Sequence, residues 1–244
     1  MRDIQLKELL EAGCHFGHKA SRWYPKASGY IFVEREGIHV IDLAQTKSGL
    51  ENAGKYLTEL AKNGGTIIFV GAKKQAKTVI EDAAKRAGVF YLTKRWPGGL
   101  LTNFAILKKN LDRVKELESR ITDVSFTKKE RLLAKRKMEK LLVLYGGLLG
   151  MEKVPEAVFI VDIKKFAGAI REAIATNLKI VAICDTNVDP EPVDYPIPAN
   201  DDAVGSIKII VDYLADAIIF GKEEFKKIQD ELKKKKMEND QPPV

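Results

Sequence analysis

The hydrophobic positions along the chain alternate between two periods, and that alternation predicts the architecture. IQLKELLEA (4–12) places Ile4, Leu6, Leu9 and Leu10 near one helical face and stops at Gly13. CHFGHKASRWYPK (14–26) has no period and reads as an irregular segment rich in rings and positive charge, and the strands YIFVER and GIHVIDL flank Glu36-Gly37 as a hairpin over 30–42. A helix over 43–62 ends at Gly64-Gly65, and TIIFVG (66–71) is an unbroken apolar run, as a strand covered on both faces requires. A helix over 73–87 follows, with Ala76, Val79, Ile80, Ala83 and Ala87 as its stripe, then a strand at 89–92. The same rhythm returns later: strands at 157–162, 179–185 and 195–200, with helices over 164–177 and 203–220, the last free to run on into the tail. Strand–helix alternation of this kind predicts an α/β domain, a mostly parallel sheet with helices on both faces.

One stretch breaks the rhythm. Between 103 and 147, Leu107, Leu111, Val114, Leu117 and Ile121 are spaced 4, 3, 3 and 4, the seam of a coiled coil. Polar residues at 122–128 separate it from a second helix with Leu132, Leu133, Met138, Leu141, Leu142 and Tyr145. The reading is an antiparallel helical hairpin inserted into the α/β domain. The chain therefore divides into 1–102 (first part of the domain), 103–147 (hairpin), 148–222 (second part) and 223–244, a charged tail expected to be disordered beyond Leu232.

Charge sharpens this picture. The 244 residues carry a net +7, but residues 61–150 hold 20 Lys+Arg against 8 Asp+Glu, whereas 151–244 hold 13 against 18. A middle third with that excess points to a polyanionic partner, because each cation placed on a phosphate releases condensed counterions. The amino terminus reads as an amphipathic helix rather than a signal peptide, and no apolar run reaches the ~20 residues of a bilayer span. A cytoplasmic protein with no membrane partner is expected. Cys14 and Cys184 are isolated from one another in sequence, which disfavours a disulfide framework or a four-cysteine zinc site.

An enzyme on this fold would need a recognisable site. The turn after TIIFV is GAKKQAK, neither G-x-G-x-x-G nor a P-loop, and there is no G-x-S-x-G or H-E-x-x-H. Cys14, His15 and His18 loosely suggest a metal or a nucleophile, but no downstream partner cluster completes a site, and His39 reads as structural. No catalytic residue and no small-molecule substrate are expected. The acidic loops are the rival feature: Asp162 and Asp185 end predicted strands, with Asp189, Glu191, Asp194, Asp201 and Asp202 close behind. Such carboxylates either cap helices and turns, Asn200 or Asp201 being placed to cap the helix from 203, or hold a cation.

Three stretches carry a family resemblance: GCHFGHKASRWYPK (13–26) with the hairpin after it, KRWPGGLLTNF (94–104), and PEAVFIVDIKKFAGAIREAIATNLKIVAICDTNVDP (155–190) running into VDYPIPANDDA. Over most of its length the chain resembles the bacterial ribosomal protein S-two family, the second protein of the small ribosomal subunit. It departs from the family pattern at Tyr24, Pro97 and Gly205. The resemblance implies a flavodoxin-like domain with a protruding coiled coil. It also implies a structural role bound to small-subunit ribosomal RNA, and a part in recruiting ribosomal protein S-one, the messenger-binding subunit protein. RNA contacts are expected from Lys19, Arg22 and Lys26 in the amino-terminal loop and from Lys73, Lys74 and Lys77, read as one solvent-facing arc of a helix starting near 73. Lys94 and Arg95 beside Gly98-Gly99, with Lys108 and Lys109 on the hairpin, complete the set. No cofactor is required. Asp185 and Asp201 are expected to converge and to be able to share a divalent ion, zinc being the candidate, near the S-one partner.

Overall fold

The computed structural model describes the backbone of residues 2–239 and the side chains of residues 2–230. Its centre is a five-stranded parallel sheet of β4 (Ile67–Val70), β5 (Phe90–Leu92), β6 (Ala157–Ile160), β7 (Lys179–Cys184) and β8 (Tyr195–Pro198), in spatial order β5-β4-β6-β7-β8. β4 and β6 are buried at every position, so their sequences are unbroken apolar runs. Alternate residues feed two separate cores. Ile67, Phe69, Phe159, Val181 and Ile197 pack beneath α2 (Leu43–Lys62), α3 (Lys77–Ala87) and α7 (Val204–Asn239). Ile68, Val70, Val158, Ile160 and Ala182 face α6 (Ala167–Ala175) and the 100–111 segment. The Phe69 and Phe159 rings meet edge-on at 5.1 Å in the first of these layers.

A second, three-stranded sheet was only partly legible. β2 (Ile31–Arg35) and β3 (Ile38–Ile41) form the expected hairpin, but a further strand, β1 (Phe16–Lys19), pairs antiparallel with β3 inside the segment read as irregular. FGHK carries a glycine and no β-branched residue, so its extended form comes from pairing and not from propensity. Gly17 has a local reason. A Cβ there would sit 2.8 Å from Thr186 Cγ2 and 3.1 Å from the His39 carbonyl oxygen, so only glycine lets β1 lie against the loop after β7. Gly205, a departure from the family pattern, is explained in the same way, since its Cβ would lie 2.8 Å from the Ala12 carbonyl oxygen.

The insertion is two helices packed on one another, α4 (Phe104–Thr122) and α5 (Lys128–Tyr145), the second opened by a Thr127–Glu130 capping box. Leu107, Leu111, Val114 and Leu117 are buried as the spacing requires. On α5 the seam is different from the one expected: Ala134 is buried and Arg131, Met138, Leu141 and Tyr145 half-buried, whereas Leu132 and Leu133 face solvent, 49% and 45% exposed. The adjacent leucines cannot both lie on one stripe, and the 3-and-4 spacing from Arg131 to Tyr145 excludes both. Leu107 and Leu111 also belong to the second core, so the hairpin is rooted in the domain rather than hinged at 103. The last helix does run on into the tail, but the disorder expected beyond Leu232 is not found among the described residues. α7 continues without interruption to Asn239, so the segment read as disordered is helical to that point, and 240–244 lie outside the described residues.

Candidate functional site

Because the five strands run in parallel, the loops that follow them emerge at one edge of the sheet. The strand order is that of flavodoxin-like folds, with the direction in which successive strands are added reversing between β4 and β6, and that crevice is where such folds take anionic ligands. Here a side chain of the protein fills it. Lys73, in the turn after β4, places its Nζ 2.6 Å from Asp201 Oδ1, 2.8 Å from Asp202 Oδ1 and 3.7 Å from Asp162 Oδ2, with its side chain only 18% exposed. This corrects the expectation that Lys73 belongs to an RNA-facing arc. α3 begins at Lys77, not near 73, so Lys73 leaves the helical face and reaches across the edge to the acidic loops.

The acidic residues form one connected network. Asp185 Oδ1 lies 3.0 Å from His18 Nδ1 and accepts from the Thr186 amide, and its Oδ2 accepts from the Asp201 amide at 3.3 Å. His18 Nε2 lies 3.4 Å from Asp202 Oδ2. The hydrogen bond to Asp185, outweighing burial, holds the His18 imidazole above its ordinary value and so favours its charged form. Burial, reinforced by the Asp185 charge, pushes the Asp201 carboxyl up to about 7 against the pull of Lys73. Burial alone would lower the Lys73 ammonium, but Asp201 and Asp202 override it and hold it above its usual range. The capping question is also decided. Asn200 Oδ1 accepts from the amides of Asp202 and Ala203 at 2.8 and 3.1 Å, which leaves Asp201 to the ion pair. His18, Asp201 and Asp202 each offer a donor atom within 4.8 Å of one another. Asp185 stands one step behind that set, holding His18.

Cys14 and Cys184 are buried free thiols, both pushed up by burial, and neither is an activated nucleophile. His39 is buried against Trp23, the rings edge-on at 5.6 Å. Trp23 and Tyr24 keep 43% and 37% of their surface. Tyr24, another departure from the family pattern, donates its hydroxyl to Asp189 at 3.2 Å. Lys26 joins that contact, 3.4 Å from Asp189 and paired also with Glu191. It is thus engaged within the chain, because the short helical turn Pro25–Tyr30 carries it onto the loop after β7.

The remaining eight expected cations are not so engaged. Lys19, Arg22, Lys74, Lys94, Arg95, Lys108 and Lys109 are exposed and Lys77 half-buried, and none makes a side-chain hydrogen bond or ion pair among the described residues. Lys74 and Lys77 follow β4, and Lys94 and Arg95 follow β5, so these four share the β5–β4 end of the edge while the carboxylates occupy the β6–β8 end.

The sequence reading missed the residue that shapes the 94–103 loop. Glu172 on α6 accepts from the Gly99 amide at 2.8 Å, the Leu101 amide at 3.0 Å and Trp96 Nε1 at 3.1 Å. Burial works against its charge, but the Leu101 and Gly99 amides and the Trp96 N–H together hold the carboxyl below its ordinary range. Nothing in a helical Glu announces this. The available signal lay in the loop itself, a Trp–Pro–Gly–Gly turn with an indole N–H and glycine amides in need of acceptors. The same reading passed over Lys165 and Arg171 beside it, having taken 164–165 as helix. α6 starts at Ala167, which leaves Lys165 in the loop.

The chain matches a known family over most of its length. A model of ribosomal protein S2 matches residues 9–221. The chain belongs to the ribosomal protein S2 family. It is 44% identical over 233 residues to the small ribosomal subunit protein uS2 of Fusobacterium nucleatum subsp. nucleatum, covering 94% of each chain. The uS2 proteins of Dictyoglomus thermophilum and Dictyoglomus turgidum are 49% and 48% identical over 226 residues, 91% of this chain and 92% of theirs. The ribosomal protein S2 family is a structural component of the small subunit and not an enzyme family. No helix among the described residues is long and apolar enough to cross a membrane.

Proposed function

We propose that the chain binds small-subunit ribosomal RNA through the cations its own carboxylates do not engage: Lys74, Lys77, Lys94 and Arg95 at the sheet edge, Lys19 at the end of β1 with Arg22 after it, and Lys108 and Lys109 on α4. The observation that carries this reading is the separation of charge. The acids of the edge are consumed by Lys73, His18 and Lys26, while these eight cations are left without a partner among the described residues. Phosphate contacts of this kind position the protein on RNA, and specificity then comes from RNA shape. The protein should co-sediment with small subunits, in the cytoplasm's ribosomes, at low salt. Lys94→Glu, Arg95→Glu should shift it to the free fraction at a salt concentration where the parent stays bound. Equal retention of both would remove this loop from the interface.

The opposite end of the edge is acidic and unsuited to phosphate. Phe16, Val33 and Ile38 on the three-stranded sheet are 53%, 37% and 38% exposed, and β1 links that apolar surface to His18. An apolar surface beside an acidic one suits a protein partner, and ribosomal protein S-one is the partner assigned to it in this reading. His18, Asp201 and Asp202 are a nitrogen-and-oxygen donor set that tetrahedral zinc accepts, with the fourth ligand to come from water or from the partner protein. Asp185 then serves as the outer carboxylate that fixes the imidazole. The ion would supply a bridging charge and no catalysis, and Lys73 would give up its hold on Asp201 and Asp202. Elemental analysis of protein purified without chelators or affinity tags should find zinc near one per chain, lost in His18→Ala, Asp202→Ala. Negligible zinc in both leaves Lys73 as the resident cation.

A further inference from the structure

Beside the four-cation group lies a cleft of about 470 Å³ lined by Arg95, Trp96 and Gly98 from one side and Lys165, Phe166, Gly168, Arg171 and Glu172 from the other. Three cations converge on it from two separate elements. Neither Arg95 nor Arg171 has a side-chain partner among the described residues, and Lys165 has only the Ala72 carbonyl, 3.4 Å away. The one carboxylate in the wall, Glu172, is turned to two amides and the indole N–H and keeps its charge, so three cations against one anion leave the cleft positive. The same contact pins the Trp96 ring, which removes the entropy cost of ordering it on binding. A Cβ at Gly98 or Gly168 would meet nothing within 4 Å, so the space beside both is open.

We infer that this cleft holds one splayed-out nucleotide, its phosphate on Arg95, Lys165 and Arg171 and its base against Trp96. Guanidinium forks favour phosphate oxygens, and an indole face accepts any base without reading it. The inference rests on the RNA-binding reading above and adds to it a site, a stoichiometry and two residues on a different element. The shared chemistry is a phosphorylated nucleoside, either free or within a single-stranded stretch of RNA.

The two tryptophans make the test direct, since Trp23→Phe leaves Trp96 as the single indole of the full-length chain. The probes are a short single-stranded oligouridylate, adenosine monophosphate and a small-subunit ribosomal RNA fragment, the last also followed by filter retention. Stacking should quench Trp96 fluorescence with the oligonucleotide. Lys165→Ala and Arg171→Ala should each weaken that response about tenfold, the equivalent of one charge-assisted contact. Gly168→Leu, which adds bulk to the open wall at a helical position, should abolish it, with all three variants melting like the parent. A response to adenosine monophosphate alone assigns the cleft to free nucleotides, and a response confined to the oligonucleotide assigns it to RNA. Either supports the site. Retention of the RNA fragment with no change in Trp96, and no effect of Lys165→Ala or Arg171→Ala, overturns the cleft and leaves the RNA-binding reading intact. Failure to retain the fragment as well overturns both.

Discussion

In the zinc-free protein above about pH 8, where Asp201 is ionised, Lys73→Ala should lower the stability by about 3–5 kcal/mol, because removing one member of a buried ion pair then leaves uncompensated charge behind. Asp201 is 2% exposed and Asp162 7%, and Asp185 lies behind them, so solvent cannot take over the role of the ammonium. At roughly 2–4 °C per kcal/mol for a domain of this size, the melting temperature should fall by about 6–20 °C. Adding Asp201→Asn to Lys73→Ala should recover a large part of the loss, since the amide keeps the shape and removes the burden of charge. Lys74→Ala, one residue on and exposed, should change stability by no more than about 0.5 kcal/mol. Melting curves of the four proteins check this. A Lys73→Ala variant that melts with the parent would show that the lysine is a surface cation after all.

The contrast between Lys73 and Lys74 marks the limit of what was legible in the sequence. Periodicity placed β4, α2 and the hairpin to within a few residues, because each rests on local burial, and a face must be apolar at a fixed period to be buried. The partner of a given lysine is not a local property. Lys73 and Asp201 are 128 residues apart, and they meet only because β4 and the strand before 199 end at the same edge. The helix start decided the rest, since a boundary error of four residues moved Lys73 from an imagined solvent face to a real ion pair. β1 was missed for a related reason: a strand built on pairing with β3 and close approach to Thr186 carries no alternation to detect. The acidic cluster was foreseen at Asp185 and Asp201, but His18, which joins them from 167 residues away, was grouped only with Cys14 and His15 as a loose suggestion of a metal or a nucleophile.

Glu172→Ala should cost about 2–4 kcal/mol and loosen the 94–103 loop, because the Gly99 and Leu101 amides and the Trp96 indole would all lose their acceptor. Glu172→Gln keeps one acceptor oxygen and should fall between. The pH dependence has a definite sign. The folded carboxyl is held below its unfolded value of 4.5, so the unfolded state binds more protons across that interval. The stabilisation is therefore complete above about pH 4.5 and is lost as pH falls through the lower, folded value. Denaturant unfolding of parent and Glu172→Gln from pH 7 to pH 3 should show the gap between them narrowing on the acid side. A constant gap across that range would mean that Glu172 acts through packing alone.

The central claim, that cations left unpaired at the β5–β4 end of the sheet edge meet RNA phosphates, has one most direct test. It is the affinity of the full-length protein for a small-subunit ribosomal RNA fragment across a salt series, for the parent and for Lys74→Ala, Lys77→Ala, Lys94→Ala, Arg95→Ala combined. Each phosphate contact contributes about 0.7–0.9 to the slope of log affinity against log salt. The quadruple variant should therefore bind more weakly at low salt, with a slope shallower by about 3 and a melting curve close to the parent's. An unchanged affinity and an unchanged slope in a well-folded variant would contradict the account.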